Sequence, residues 1–162
     1  MVDLGCGSGL WLQRHAATAE SVIGIEPDAE LLPTARARTQ RAQVLAGSAE
    51  HIPLADSSVD VVHARFAYFF PTPMNACSPG LAEVLRVLRP GGSLVVIDND
   101  HQHGEFARLL GQSPWAAAAQ GEDDFIRRWW GERGASHHEV MSSWTFDTAE
   151  DLSAVLRNGI SP

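Results

Sequence analysis

Short runs of aliphatic and β-branched residues alternate with stretches of helical spacing through the first hundred residues of this chain. Strands separated by single helices pair in parallel, because such a crossover returns the chain to the same end of the sheet. Strands are predicted near residues 1–4, 21–26, 43–46, 59–65 and 93–98. Helices are predicted between them at about 10–16, 28–41 and 78–88. The pattern therefore predicts an α/β fold with a doubly wound, mostly parallel sheet and helices on both faces.

The last third of the chain shows weaker patterns. The predicted elements are a helix near 104–111, an alanine-rich stretch at 116–119, a polar and aromatic segment at 125–130, a strand at 138–146 and a helix ending near Asn158 and Gly159. Thr148 is the predicted N-cap of that last helix. Ser78, followed by Pro79, is the predicted cap of the third crossover helix, and Asp28 that of the second.

Composition limits the functions open to the chain. Its 162 residues fit one globular domain that needs no disulfide framework, and its two cysteines favour a reducing cytoplasm. Twelve basic against twenty acidic side chains give a net charge of −8, which disfavours nucleic acid as a partner. A membrane span needs roughly 18 consecutive apolar residues, and the sequence contains no such run. The oligomeric state is not predicted.

A glycine-rich loop, Gly5-Cys6-Gly7-Ser8-Gly9, follows the first predicted strand and opens a helix. Glycine lets the backbone turn sharply and approach a ligand without side-chain obstruction. A dinucleotide fingerprint has the spacing G-x-G-x-x-G, and Leu10 stands at its last position here. A nicotinamide-dependent oxidoreductase is therefore a disfavoured alternative, and a purely structural turn remains open.

With Asp3 two residues upstream, this loop resembles the first motif of class I S-adenosylmethionine-dependent methyltransferases, of the type 11-like methyltransferase domain. Glu26, at the end of the second strand, matches the acid of that family. The segment Gly47–Glu50 resembles its adenine-reading segment, although Ser48 replaces the more usual aspartate. Two later segments, 57–62 and 88–94, resemble the fourth and fifth strand signatures, so the resemblance covers about residues 2–100.

The resemblance implies a Rossmann-like methyltransferase fold with strand order 3-2-1-4-5 and an incomplete terminal hairpin. It implies S-adenosylmethionine as cofactor, with Glu26 accepting hydrogen bonds from both ribose hydroxyls. The cofactor-binding residues implied are Asp3, Gly5, Cys6, Gly7, Gly9, Glu26, Pro27, Ser48, Ala49, Glu50 and Arg65. It also implies that residues 1–162 are a single domain lacking the usual N-terminal helices and last strand, so the chain is expected to be a fragment.

The expected reaction is methyl transfer to an unidentified small-molecule acceptor, and a non-catalytic binding remnant is the alternative. Candidate bases at strand ends are His63, Arg65, Tyr68, Asp98, Asp100, His101 and His103, and none is assigned. No metal is predicted, because the carboxylates and imidazoles at 98–103 match no closed zinc pattern.

Plainer structural interpretations of several residues remain open. Asp3 could cap the amides of the glycine loop, and His63 could be a hydrogen-bonded strand histidine. Tyr68 could belong to a pocket wall or to the core. Cys6 lies near a helix N-terminus, which could lower its pKa, but its small size is the simpler explanation.

Overall fold

In the computed structural model, which describes residues 1–111, 116–143 and 145–159, five parallel strands form one sheet. The strands are β1 (Val2–Leu4), β2 (Ile23–Glu26), β3 (Gln43–Ala46), β4 (Val59–Arg65) and β5 (Leu88–Ile97). The helices are α1 (Leu12–His15), α2 (Leu32–Arg38), α3 (Ser78–Val87), α4 (Gly104–Leu110), α5 (Ala116–Gly131) and α6 (Ala149–Gly159). The sheet order is β3-β2-β1-β4-β5, which confirms the predicted α/β fold and its strand order.

The chain divides into two compact units, Met1–Asp98 and Asn99–Pro162. The first contains the whole sheet with α1, α2 and α3, and the second contains α4, α5 and α6. None of the helices in the described part of the chain is long and apolar enough to cross a membrane.

The strand order reverses direction between β1 and β4, and this reversal places the loops of interest. Val2, Asp3 and Leu4 pair with Ile23–Ile25 on one side and with Val62–Ala64 on the other. Parallel crossovers are right-handed, so the reversal puts α1 and α2 on one face and α3 on the other. The loops after β1, β2 and β4 therefore meet at the carboxyl edge of the sheet, where open α/β sheets bind ligands.

The face beneath α1 and α2 carries a hydrophobic cluster. Its buried members are Cys6, Leu12, Ala16, Val22, Leu32, Ala35 and Val44. Burial of a leucine or valine side chain contributes about 1.5–3 kcal/mol, so these contacts hold both helices on the sheet. Gly24 makes this packing possible, because a Cβ there would lie 2.8 Å from Cys6 Sγ and 3.0 Å from Leu12 Cδ2.

Strand β5 begins five residues earlier than predicted. Leu88 pairs with Val59, and the register then shifts so that Ser93 pairs with Val61. Pro90, Gly91 and Gly92, which follow the predicted helix at 78–88 and resemble a helix stop, lie within this irregular part of the strand. An edge strand tolerates proline and glycine at such a bulge, because the missing amide faces away from the ladder.

Two of the three predicted helix caps are wrong. The N-cap of α3 is Cys77, in a left-handed conformation with φ of 52°, and Ser78 is already helical. Asp28 accepts a hydrogen bond from the Glu30 amide in the turn before α2, whose N-cap is Leu31. The Thr148 hydroxyl does accept a hydrogen bond from the Asp151 amide at 3.1 Å, as a cap of α6 should.

The strand predicted at 138–146 is also wrong for its described residues, which exclude position 144. They form no strand, and Val140 and Met141 are each 81% exposed. A segment forms a strand only when another backbone pairs with it, and no described segment does so here. The described residues therefore include no strand for the expected terminal hairpin. In contrast, the alanine-rich and aromatic stretches predicted separately are joined in one helix, α5.

Two left-handed glycines allow backbone strain to be separated from packing. Gly9 has φ of +80° and Gly91 has φ of +83°, but a Cβ on Gly9 would lie 2.9 Å from Ala35 Cα, whereas one on Gly91 would meet nothing within 4 Å. We expect Gly91→Ala to lower the free energy of unfolding by about 1–2 kcal/mol, the ordinary cost of this conformation for alanine. Gly9→Ala should cost clearly more, because the backbone of α2 must also move. Urea unfolding measures both, and equal losses would contradict the packing role of Gly9.

Candidate functional site

The glycine loop between β1 and α1 is tied to the end of β2. The amides of Gly5 and Cys6 both donate to the carbonyl oxygen of Ile25, at 2.8 Å and 3.0 Å. Gly5, Gly7 and Gly9 all have positive φ, between +55° and +80°, a conformation that other residues rarely adopt. The alternation of glycines therefore lets the loop turn back over β2.

The Glu26 carboxylate joins this loop to the turn that follows β2. Its Oε2 accepts a hydrogen bond from the Gly7 amide at 2.7 Å, and its Oε1 accepts one from the Asp28 amide at 2.9 Å. Glu26 is only 6% exposed. Hydrogen bonds to an ionised acceptor are about twice as strong as neutral ones, so this carboxylate is held in one place. Each oxygen has a further lone pair for another donor.

The three glycines of the loop have different surroundings. A Cβ on Gly5 would lie 2.5 Å from Ala67 Cβ, and one on Gly9 would collide with the backbone of Ala35. A Cβ on Gly7 would meet nothing within 4 Å. Gly5 and Gly9 are therefore needed for packing, whereas Gly7 borders open space beside the Glu26 carboxylate.

A third loop reaches the same edge after β3. The Gly47 amide donates to the Glu26 carbonyl oxygen at 3.2 Å, and Ser48 and His51 exchange backbone hydrogen bonds at 3.3 Å and 3.2 Å. Within this turn Ala49 is buried and Glu50 is exposed. The predicted adenine-reading segment therefore starts directly beside the strand end that carries Glu26.

An ion-pair network fixes the far end of this third loop to α3. The Arg86 guanidinium donates to the carbonyl oxygens of Ile52 and Leu54 at 2.9 Å and 2.8 Å, and it pairs with Glu83 and Asp56. The hydrogen bonds from Arg86 and from the Ile52 amide lower the pKa of Glu83 to about 2. This network was not predicted from the sequence, since apart from the Glu83–Arg86 pair it joins residues at least 30 positions apart.

Tyr68 links the loop after β4 to the third loop. Its hydroxyl accepts from the Gly80 amide at 3.0 Å and donates to the Glu50 carboxylate at 3.1 Å. Burial raises the pKa of Tyr68 and the bond to Glu50 adds to that increase, although the Gly80 amide opposes it. Because its hydroxyl stays protonated and makes two hydrogen bonds, Tyr68 is a structural link between the two loops at neutral pH.

Asp3 and His63 form a buried pair under the glycine loop. His63 Nδ1 lies 3.1 Å from Asp3 Oδ1, and no loop amide in the described part of the chain donates to Asp3. Of the two alternatives, His63 is the hydrogen-bonded strand histidine, and Asp3 does not cap the loop. His15 completes the cluster, with Nε2 4.0 Å from Asp3 Oδ2 and its ring 4.8 Å from that of His63. One carboxylate and two imidazoles are a donor set that divalent transition metals can bind.

Two other predicted site residues, Cys6 and Pro27, have environments that are easily described. Burial, followed by the charges of Asp3 and Glu26, raises the pKa of the Cys6 thiol to about 12. The suggestion that a helix N-terminus lowers this pKa is therefore wrong, and the close contact with Gly24 explains the small side chain. Pro27 is exposed after β2.

Arg65 ends β4 on the other side of the glycine loop. Its guanidinium carbon lies 4.5 Å from the centre of the Trp11 ring and 4.4 Å from that of Phe66. Trp11 was not among the predicted site residues, because its spacing indicated only a place in the helix after the glycine loop.

Of the remaining candidate bases, Asp98 is the last residue of the first unit, whereas Asp100, His101 and His103 lie in the second unit and are paired there. His101 Nδ1 is 2.7 Å from the Asp123 carboxylate, and His103 Nδ1 is 3.1 Å from Asp100. Burial alone would raise the pKa of Asp100, but hydrogen bonds from Gln102 and His103 lower it overall. One potential ligand atom from each of Asp100, His103 and Glu139 lies within 4.8 Å of the other two, close enough for the three to share a metal ion. The Arg127 guanidinium pairs with both Asp100 and Glu139, at 3.4 Å and 3.2 Å.

His15 makes the stability of the first unit depend on pH. Burial lowers the pKa of its imidazole and so does His63, with Asp3 opposing them. The unfolded chain then binds a proton at His15 more readily than the folded chain, so stability is lost as the pH falls below about 6.5. We expect His15→Gln to make that loss shallower in urea unfolding measured from about pH 7 downward. Equal pH slopes in the two proteins would contradict a neutral, buried His15.

Comparison with known proteins places the first unit in a family. A family model described as a methyltransferase domain matches residues 2–96. An uncharacterized methyltransferase of Mycobacterium tuberculosis is 38% identical over 114 residues, which are 69% of this chain and 45% of the relative. The malonyl-[acyl-carrier protein] O-methyltransferase of Yersinia pestis is 35% identical over 95 residues, 59% of this chain and 34% of the relative. The chain thus spans less than half the length of these curated relatives.

Solved structures agree with this placement. An amino pentose methyltransferase of calicheamicin biosynthesis from Micromonospora echinaspora, with S-adenosylmethionine bound, is 30% identical and has a TM-score of 0.53 over 59% of this chain and 40% of that chain. An S-adenosylmethionine-dependent methyltransferase from Mesorhizobium loti is 26% identical, with a TM-score of 0.50 over 59% of this chain and 44% of that chain.

The matched residues 2–96 contain the sheet, the glycine loop and Glu26, and they fall within the first compact unit. S-adenosylmethionine is the cofactor of the family to which these features correspond. The chain belongs to the class I S-adenosylmethionine-dependent methyltransferases.

Proposed function

We propose that the chain binds S-adenosylmethionine at the carboxyl edge of its sheet and transfers the methyl group to a small-molecule acceptor. The observation that carries this proposal is the Glu26 carboxylate, held 2.7 Å from the Gly7 amide beside open space. A fixed acceptor of charge −1 suits two adjacent hydroxyl donors, and the bare backbone at Gly7 allows a ligand to approach closely.

The loops around this carboxylate supply the other contacts. The turn at Ser48, Ala49 and Glu50 starts beside Glu26. It offers the amides of Ala49 and Glu50 and the Ser48 hydroxyl to an adenine ring, while the Ser48 amide donates to His51. Asp3, Gly5, Cys6 and Gly9 shape the loop from below, and Pro27 flanks it. Every one of these residues lies in the unit that contains the sheet.

When bound, the cofactor supplies an activated methyl group, whose bond to sulfur breaks with the electron pair left on sulfur as a new bond forms to an acceptor lone pair. The chain's own task is to hold donor and acceptor in line, which can supply several kcal/mol of the barrier reduction, on the order of 7–11 at best. His63 and Tyr68 are already hydrogen-bonded, so we assign no base to them.

A small-molecule acceptor is favoured by charge. Twenty acidic against twelve basic residues would repel a phosphate backbone. The named relatives act on different acceptors, a malonyl-acyl carrier protein and an amino pentose, so neither acceptor is assigned to this chain. Both cysteines are free thiols, which fits a reducing cytoplasm.

Replacing Glu26 tests the proposed site directly. We expect Glu26→Ala to weaken binding of S-adenosylmethionine and S-adenosylhomocysteine by about 100-fold or more, since each hydrogen bond to a charged group is worth about 1.5–3 kcal/mol. Isothermal titration calorimetry with both ligands, and with NAD as a third, measures the change. NAD should bind neither protein.

Glu20→Ala is the matched control, because Glu20 is an exposed acid outside these loops. Glu26→Ala also removes the acceptor of two backbone amides, so thermal unfolding must show that the variant is folded at the titration temperature. Unchanged affinity in a folded Glu26→Ala protein would remove Glu26 from the site. Product formation with a panel of acceptors then separates a methyltransferase from a binding remnant.

A further inference from the structure

Arg65 differs from the other half-buried arginines whose contacts the structure describes. Arg86 and Arg127 each pair with two carboxylates within 3.4 Å. Within the described residues, the Arg65 guanidinium makes no hydrogen bond or ion pair and contacts only the rings of Trp11 and Phe66. Contact with a ring face stabilises the cation but uses none of its five N–H donors. In a chain with an excess of acids, this arginine is held in place and left unpaired.

The position of Arg65 connects it with the proposed cofactor site. Its neighbour Ala64 pairs with Leu4, so Arg65 lies level with Gly5, where the glycine loop begins. Two residues later Ala67 packs against Gly5. Trp11 directly precedes α1, at the other end of the glycine loop. The guanidinium therefore stands at the rim of the same loop, within the first unit.

The backbone after Arg65 is arranged to hold an aromatic ring beside it. Phe66 and Tyr68 have φ of 52° and 57°, a left-handed conformation that is unfavourable for bulky residues. The Phe66 amide donates to the Ile97 carbonyl oxygen at 2.9 Å, which holds the strained residue in place. Backbone strain of this kind persists where the surrounding structure over-determines it, and it clusters at ligand sites.

Apolar surface lies next to this cation. Phe66, whose ring lies against the Arg65 guanidinium, is 42% exposed. A guanidinium stacked on a ring still presents its N–H groups at its edge, and two parallel N–H groups can bind one carboxylate. The exposed ring beside it suits the carbon skeleton that carries such a carboxylate.

We propose that Arg65, supported by Trp11 and Phe66, binds a carboxylate of the methyl acceptor, so that the acceptors are small carboxylic acids with an apolar body. This inference rests on the proposed function. The amino-acid tail of the cofactor offers the same chemistry, and Arg65 was predicted from the resemblance to contact the cofactor. The exposed Phe66 ring favours the acceptor, because the cofactor tail has no apolar group of that size to cover it.

The test uses phenylacetate as the probe and phenylacetamide as its neutral counterpart of the same shape. Both are titrated into the full 162-residue chain with and without saturating S-adenosylhomocysteine, and the Arg65 side-chain resonance and tryptophan emission are followed. We expect at least about tenfold tighter binding of phenylacetate, the contribution of one bidentate charged contact. Arg65→Met should abolish that preference, and Arg65→Lys should retain only part of it.

Arg14→Met is the matched control, because Arg14 also lies over the Trp11 ring, at 5.0 Å, but is exposed to solvent. It should keep the preference for phenylacetate. Phe66→Leu is a second variant should Arg65→Met fail to fold, and it should weaken both probes.

Three results would overturn the proposal: equal binding of the two probes by the native chain, an undiminished preference in Arg65→Met, or a loss of S-adenosylhomocysteine affinity in Arg65→Met as large as the loss of phenylacetate affinity. The last result would assign Arg65 to the cofactor tail. Failure of the proposed function has a different signature, in which the native chain does not bind S-adenosylhomocysteine at all.

Discussion

A single carboxylate organises the edge of the sheet on which this account depends. Glu26 ends β2 and is almost fully buried. Its carboxylate accepts hydrogen bonds from one amide of the glycine loop and one of the turn after β2. An unpaired buried carboxylate would be costly, and here two backbone donors compensate it. The same bonds hold Gly7 beside the carboxylate, so the bare backbone and the acid that the site needs are positioned by one interaction.

The sheet topology explains why this arrangement is possible. The order β3-β2-β1-β4-β5 brings the loops after β1, β2, β3 and β4 to one edge, although they are far apart in sequence. Gly24 has no side chain, so Cys6 and Leu12 can pack directly on β2 and the glycine loop can lie low over the sheet. Binding geometry is therefore a consequence of core packing as much as of the loop residues themselves.

Local sequence patterns predicted the positions of most strands of the sheet. The first four strands end within a residue or two of the expected positions, because aliphatic runs of that length have few alternatives in a buried parallel sheet. The start of β5 was missed because Pro90 and Gly91 are common helix stops, and at this edge strand they form a bulge instead. The strand at 138–146 was predicted from this segment by itself, and a local sequence does not show whether another backbone segment is available to pair with it.

Contacts between residues far apart in the sequence could not be predicted from local patterns. Glu26 was predicted as a site residue from its position at a strand end. Its hydrogen bond from the Gly7 amide supports the predicted site, and the ligand contacts of that site are a proposal. The partner of Asp3 could not be foreseen, because the Asp3–His63 bond depends on the register of two strands sixty residues apart. The stacking of Arg65 on Trp11 has the same origin. Ring contacts across the sheet edge leave no trace in spacing or composition.

The most direct measurement is the backbone amide spectrum of the chain during titration with S-adenosylhomocysteine. We expect the largest shifts at Gly7 and at residues 47–50, with Asp28 also affected through the Glu26 carboxylate, while the amide signals of β5 stay in place. Saturable binding that leaves Gly7 and Asp28 unshifted would show that the nucleoside lies elsewhere and would contradict the central claim.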